Sequence, residues 1–197
     1  TCALPILGGP IAKDKLFFFG TYELNFRDEP QYVTLGGNAA QAPTGLNPAQ
    51  YVGAFTSQFR EHLGFGKLTW LKSSRSTVDA SLNVRTENDF RGFGGQTSYQ
   101  SAEDVAIKTL TGVANWRYAG DKWLNEAQVN VQNFVWNPRP KNPALIGRDY
   151  AGIIRIGGRE GRQEFTQSRI SLRNDVTRSG VQLAGDHVFK GGASIDL

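Results

Sequence analysis

Thr77-Val78-Asp79-Ala80-Ser81-Leu82-Asn83-Val84-Arg85 is the stretch that decides the fold. Val78, Ala80, Leu82 and Val84 fall on one face of an extended chain, and Asp79, Ser81, Asn83 and Arg85 fall on the other. This is the period of a strand with one apolar side. Upstream, Leu16, Phe18, Gly20, Tyr22, Leu24 and Phe26 oppose Glu23, Asn25 and Arg27, while Gly66, Leu68 and Trp70 oppose Lys67 and Thr69. Downstream, Leu110, Gly112, Ala114, Trp116 and Tyr118 oppose Thr109, Thr111, Asn115 and Arg117, and Ala127, Val129 and Val131 oppose Glu126, Gln128, Asn130 and Gln132. Ile170, Leu172 and Val176 then oppose Arg169, Ser171, Arg173 and Asp175, and Phe189, Ala193 and Ile195 oppose Lys190 and Asp196. Within these segments every charged side chain lies on the second face.

Strand length separates two kinds of one-sided sheet. Residues 16–27 and 76–87 make uninterrupted runs of roughly 40 Å at ~3.3 Å per residue, whereas strands of soluble proteins usually end near ~5–6 residues. Tilted by ~45°, such a run crosses a hydrocarbon core of ~30 Å. A Lys or Arg at mid-depth on the lipid face costs about 2–4 kcal/mol, which accounts for the segregation of charge. The expectation is an all-β chain: part of an antiparallel transmembrane β-barrel with about seven long strands. Trp70, Trp116, Tyr118 and Trp123 sit on the apolar face at strand ends, where a ring with a polar tip forms a membrane-interface girdle. A soluble antiparallel sheet also has one wet face, so a secreted β-sandwich that binds carbohydrate, its apolar faces packed together, stays open as an alternative.

Connections alternate short and long, as in hairpins with periplasmic turns and extracellular loops. Residues 72–75 and 119–122 read as tight turns, with a looser one around Arg178-Ser179-Gly180. Residues 28–64, 88–104 and 137–162 read as loops. In the first, Asn47 suits a cap, Pro48 the first helical position, and Val52, Phe55, Phe59 and Leu63 follow helical spacing, which predicts a short loop helix. In the second, Arg91, Gln96 and Tyr99 are the candidate ligand contacts, because planar aromatic and amide groups suit sugars or peptides. In the third, Arg155-Ile156-Gly157-Gly158-Arg159-Glu160-Gly161-Arg162 suits either an anionic ligand, such as a lipopolysaccharide phosphate, or a flexible solvated loop.

Composition narrows the function classes. Of 197 residues 39% are hydrophobic and 23 are Gly, and no run approaches the ~20 apolar residues of a spanning helix; any passage through a membrane is by strands. The sequence contains no Met and no leader, and it stops within an apparent strand, so it is expected to be an internal piece of a longer protein. The net charge of +4 is spread among interleaved acids, which argues against a nucleic-acid partner. Cys2 stands alone, which excludes an internal disulfide and a cysteine-rich zinc site. His62 and His187 are far apart and outside any metal-ligand spacing. No Gly-x-Ser-x-Gly elbow occurs, and Gly64-Phe65-Gly66-Lys67 lacks the spacing of a phosphate loop. Glu126 and Asp175 read as solvated wall residues rather than as an acid and a base. No enzyme activity, cofactor or metal is expected.

One further run carries a family resemblance. Gly8-Gly9-Pro10-Ile11-Ala12-Lys13-Asp14-Lys15, leading into Leu16-Phe17-Phe18-Phe19-Gly20-Thr21-Tyr22-Glu23, resembles the junction of plug and barrel in TonB-dependent outer-membrane receptors, especially the Oar-like subgroup. Phe65-Gly66-Lys67-Leu68-Thr69-Trp70 and Trp123-Leu124-Asn125-Glu126-Ala127 look like strands on either side of short periplasmic turns. The resemblance implies that residues 1–15 end a plug domain and that 16–197 begin a barrel of about two dozen strands in a Gram-negative outer membrane. It also implies the partners: outer-membrane lipid, the protein's own plug and remaining strands, the TonB complex reached through an upstream segment, and an imported ligand such as a siderophore, carbohydrate or peptide. An outer-membrane adhesin or secretion barrel without active transport would share these strands.

Overall fold

The computed structural model describes residues 2–3, 5–159 and 161–197, with side chains from residue 5 onward. Its strands are β1 (Cys2–Ala3), β2 (Ile6–Ala12), β3 (Leu16–Val33), β4 (Gly53–Ser73), β5 (Ser76–Arg91), β6 (Glu103–Ala119), β7 (Trp123–Pro140), β8 (Arg148–Tyr150), β9 (Ile154–Ile156), β10 (Phe165–Gln182) and β11 (Asp186–Asp196). Among the described residues nine strands form one sheet in the order β1-β3-β4-β5-β6-β7-β10-β11, with β2 also paired to β3, and β8-β9 make a separate hairpin. Every pairing is antiparallel and joins near neighbours in the chain. Among the described residues the sheet does not close on itself: β2 and β1 lie at one edge and β11 at the other.

The seven long strands are those whose alternation is visible in the sequence, but they run further than the alternation does. β4 reaches 21 residues, and β3, β7 and β10 reach 18 each. Hydrogen-bonded rows carry one chemistry straight across the sheet. Gly9, Phe18, Leu68, Ala80, Ala114, Val129, Leu172 and Ile195 are successive cross-strand partners on one face. Thr69, Asp79, Asn115, Gln128, Arg173 and Ser194 make a row on the other. A one-residue slip anywhere would exchange the two sets, so the pattern fixes the register.

Among the described residues no second layer covers either face of the sheet in the half that holds the β2–β3 and β4–β5 turns. Leu68, Leu82, Val129, Leu172 and Ile195 all stay between 41% and 53% exposed. The chain exposes 12694 Å², where a compact globular monomer of 21.6 kDa would expose about 9,200 Å². The buried core lies instead among the long connections, where Val33, Ile153, Ile154 and Ile156 cluster with Leu35, Leu46, Tyr51, Phe55 and Tyr150.

Three sequence expectations need correction. The loop helix is a single 3-10 turn, Pro48–Tyr51; Phe55, Phe59 and Leu63 belong to β4. Their spacing of four is an even number as well as roughly a helical turn, so it fits one face of a strand equally well. The chain does not reverse at Arg178-Ser179-Gly180. Gly180, with φ 62°, makes a bulge there that shifts the register between Arg178 and Val181, and the reversal comes at Leu183, Ala184 and Gly185. The loops are shorter than expected, 34–52, 92–102 and 141–164, because strands extend into the first two from both sides and β7 extends into the third, whose far end lies two residues later than expected.

Residues 6–12 of the stretch expected as the end of a plug lie in this same sheet, paired along the lower half of β3. Lys13-Asp14-Lys15 is the tight turn between β2 and β3: the Lys15 amide donates to the Ala12 carbonyl at 3.1 Å, and Asp14 adopts φ 57°. Gly8 lies at a close approach, since a Cβ there would meet the Phe18 carbonyl at 3.2 Å and the Phe19 ring at 3.3 Å and these neighbours would have to give way slightly. Asp tolerates the left-handed region, whereas other L-residues lose about 1–2 kcal/mol there. Asp14→Gly is therefore expected to leave the urea unfolding midpoint of the detergent-solubilised protein unchanged or raised, and Asp14→Val to lower stability by about 1–2 kcal/mol.

Candidate ligand-capture loops and membrane face

All four short turns, at 13–15, 74–75, 120–122 and 183–185, lie at one end of the sheet, and the three long loops lie at the other. The apolar face is not uniform between these ends. On β3 it runs from Leu16 to Phe26, about 33 Å along the strand at ~3.3 Å per residue and about 25 Å in height at ~40° tilt, the height of a barrel's apolar band. Toward the loops the same face turns polar, with Arg60 and His62 on β4, Asn88 on β5, Asp104 and Lys108 on β6 and Arg139 on β7. The charge segregation seen in the sequence thus belongs to the half of each strand nearest the short turns.

Trp70, Trp116, Tyr118 and Trp123 rim that half on its apolar face, and all are exposed. Trp70, Val78 and Trp116 are direct cross-strand neighbours. The Trp116 indole N–H donates to the Ser76 hydroxyl at 3.0 Å, so its polar edge points toward the turns. Two cations that the sequence reading overlooked complete the rim. The Arg178 guanidinium lies 4.6 Å from the Trp123 ring centroid and the Lys72 ammonium 5.9 Å from that of Trp70. Lys72 follows Trp70 by two residues, a spacing visible in the sequence; Arg178 reaches Trp123 only through strand pairing.

The opposite face carries a ladder of ion pairs. Lys67 holds Asp79 at 3.0 Å, Arg173 holds Asp175 at 2.9 Å and Arg169 holds Asp196 at 2.9 Å. Glu126 faces Arg117 at 3.9 Å. Glu126 and Asp175 are thereby wall residues with cationic partners. Higher up, Glu61 and Glu87 are direct cross-strand partners, both more than 90% buried. Like charges placed opposite one another destabilise a sheet. Arg85 resolves the conflict by bonding Glu61 at 2.6 Å and also Glu87, while the Asn25 amide donates to Glu61 at 3.3 Å.

At the other end the loops are knitted together rather than solvated. The Thr34 amide donates to the Gly95 carbonyl at 2.7 Å, Gly36 to Ile153 at 2.9 Å, Ser98 to Arg155 at 2.8 Å and Arg155 to Gln96 at 2.7 Å. Ser101, fully buried, donates its hydroxyl to the Gly157 carbonyl at 2.8 Å. Gly157 has φ 81°, and a Cβ there would meet the Ile146 carbonyl at 2.1 Å, so this contact admits no side chain. The basic stretch is part of that knit: Arg155 bonds Asp149 at 2.8 Å and Arg159 approaches Glu103 at 3.4 Å. Glu160 lies outside the described residues. Gly147, Arg148, Asp149, Arg155, Gly158 and Arg159 line an open cavity of about 330 Å³.

The three candidate ligand contacts do not form one site. Arg91 ends β5 with its guanidinium between Asp89 at 3.0 Å and Glu103 at 3.7 Å. Tyr99 stacks on Phe55 with centroids 4.6 Å apart, takes Phe90 and Phe93 at its edges, and lies under the Lys141 ammonium at 3.5 Å. Both residues hold loops in place. Gln96 alone is an exposed loop residue whose side chain makes no hydrogen bond among the described residues. Beside the aromatic cluster, Ala54, Phe55, Gln58, Phe90, Tyr99 and Lys141 line a cavity of about 610 Å³ that continues onto Asp104. Among the described residues no group of His, Cys, Asp and Glu is arranged to hold a metal.

Arg85 is the residue on which the polar face is most exposed to mutation. Arg85→Leu is expected to cost about 3 kcal/mol, the scale for breaking a buried charged network by removing one partner, as read from the urea midpoint in detergent. Arg85→Leu combined with Glu61→Gln and Glu87→Gln is expected to recover most of that loss.

No family model, no curated protein and no solved structure matches the chain.

Proposed function

We propose that this chain is part of a TonB-dependent outer-membrane receptor, which captures a ligand with its loops and imports it through a barrel using energy delivered by the TonB complex. The observation that carries the membrane half of this reading is the uncovered apolar band, rimmed by Trp70, Trp116, Tyr118 and Trp123, on a sheet whose other face is an ion-pair ladder. In water that band would be an aggregation surface; against lipid it is the outer wall. A β-sandwich would need a second sheet over it, and among the described residues there is none. The receptor half rests on the Gly8-Gly9-Pro10-Ile11-Ala12-Lys13-Asp14-Lys15 run and on a cap of interlocked loops that holds Gln96 and the Arg148 cavity on a fixed base.

In this reading the band faces hydrocarbon and the ladder faces the lumen. The short turns lie in the periplasm, and strands that outrun the bilayer raise the loops above the outer surface. Pairing lumen charges with one another keeps the wall polar without leaving a strong uncompensated charge to trap a passing ligand.

Topology gives the direct test, in a background where Cys2→Ser removes the one cysteine of this segment and any cysteine elsewhere in the protein is also replaced by Ser. In that background a membrane-impermeant maleimide applied to intact cells is expected to label Gln96→Cys and to spare Asp121→Cys until the cells are lysed. Equal labelling of both before lysis would refute the orientation. Once the ligand is identified, collapsing the proton-motive force is expected to stop uptake while leaving surface binding in place; uptake that persisted would favour a passive barrel.

A further inference from the structure

We propose that the short-turn rim is a binding surface for anionic phospholipid headgroups, with Arg178 and Lys72 as the two phosphate contacts; the inference rests on the membrane reading above. Each cation stands over an indole at the border of the apolar band: Arg178 over Trp123 at 4.6 Å and Lys72 over Trp70 at 5.9 Å. An indole at this depth lies among glycerol and carbonyl groups, and a Lys or Arg beside it extends to the phosphate level.

On the loop-side border of the same face the arginine nearest an aromatic ring is held within the protein: Arg60 is taken by Asp28 at 2.5 Å, by the Arg27 carbonyl at 2.9 Å and by the Phe26 ring. At the short-turn rim neither Arg178 nor Lys72 has an acidic partner among the described residues; Asp121, the acid of the neighbouring turn, is occupied by Arg75 at 2.6 Å. Arg178, half-buried against the Trp123 ring, and Lys72, exposed beside Trp70, therefore carry charges that no acid of the protein neutralises among the described residues. The phosphodiester of a phospholipid supplies it, and a guanidinium presents a fork that matches phosphate oxygens.

Four strand spacings separate β4 from β10, about 19 Å at ~4.8 Å each, so one phosphate cannot serve both cations and two headgroups bind independently. Between them the exposed edges of Trp116 and Tyr118, with the Ser76 hydroxyl, continue the rim. Attraction of roughly 1 kcal/mol per basic residue near an anionic surface corresponds to about a fivefold preference at each site.

Tryptophan quenching by acyl-brominated lipid tests this on the intact protein in mixed micelles. Three of this segment's four tryptophans sit on the rim, and the fourth, Trp136, belongs to the opposite face; replacing Trp136 and any tryptophan elsewhere in the protein by Phe removes their background. Brominated phosphatidylglycerol is expected to quench at about fivefold lower mole fraction than brominated phosphatidylcholine, with the preference fading as salt screens it. Arg178→Gln with Lys72→Gln is expected to make the two lipids equivalent, and Arg173→Gln, which removes a cation from the other face, to leave the preference intact. Equal quenching by both lipids in the unmodified protein, or a preference that survives the double substitution, would overturn the proposal while leaving the membrane reading standing. Quenching by neither lipid would overturn both.

Discussion

An apolar face with no protein to cover it is the constraint on which the rest of this structure depends. The sheet satisfies its interior backbone donors and acceptors through strand pairing, so neither face has to provide hydrogen bonds to main chain. That frees each face to match a different solvent. In the proposed membrane reading the rows through Leu68 and Val129 meet lipid, and the rows through Asp79 and Arg173 meet water. Because side chains alternate strictly, the two choices are coupled: a strand that holds Val78, Ala80, Leu82 and Val84 in the band must present Asp79, Ser81, Asn83 and Arg85 behind it.

The polar face is not simply whatever remains. Its charges are matched across strands, and the Glu61–Glu87 opposition shows how closely. Two carboxylates placed face to face and buried would drive their strands apart. One guanidinium set between them restores order, with the Asn25 amide taking up part of what is left of Glu61. The arrangement depends on Arg85, so removing that side chain alone, which leaves two facing carboxylates, is worse than replacing all three.

The architecture was largely legible in the sequence and the loop region was not, for reasons that lie in particular residues. Alternation over Leu16, Phe18, Gly20, Tyr22, Leu24 and Phe26 has a period that only a strand satisfies, and the structure keeps it. Phe55, Phe59 and Leu63 recur every four residues, which a helix and a strand both satisfy, and pairing with β3 settled the matter in favour of the strand. Gly180 looks like a turn residue in sequence because a positive φ serves a bulge as well as a reversal. The polar loop-side halves of the strands escaped notice because alternation between apolar and charged residues fades there, although hydrogen bonding does not. The roles of Arg91 and Tyr99 depend on Glu103 and Phe55, which are distant in the chain.

The loops bear on selectivity through their rigidity. A surface loop of ten to twenty residues without internal partners would lose entropy on gripping a ligand, and that loss would be subtracted from affinity. Here the order is already in place before any ligand arrives. Val33, Ile153, Ile154 and Ile156 form a small core between the connections, the Phe55–Tyr99 stack locks the second loop to β4, and Ser101 ties it to Gly157 of the third. A contact group carried on such a base is presented at fixed distance and angle. Of the three contacts the sequence suggested, Arg91 and Tyr99 are spent on holding the base, which leaves Gln96 at the surface and the cavity beside Arg148 as the parts of the proposed receptor able to choose a ligand.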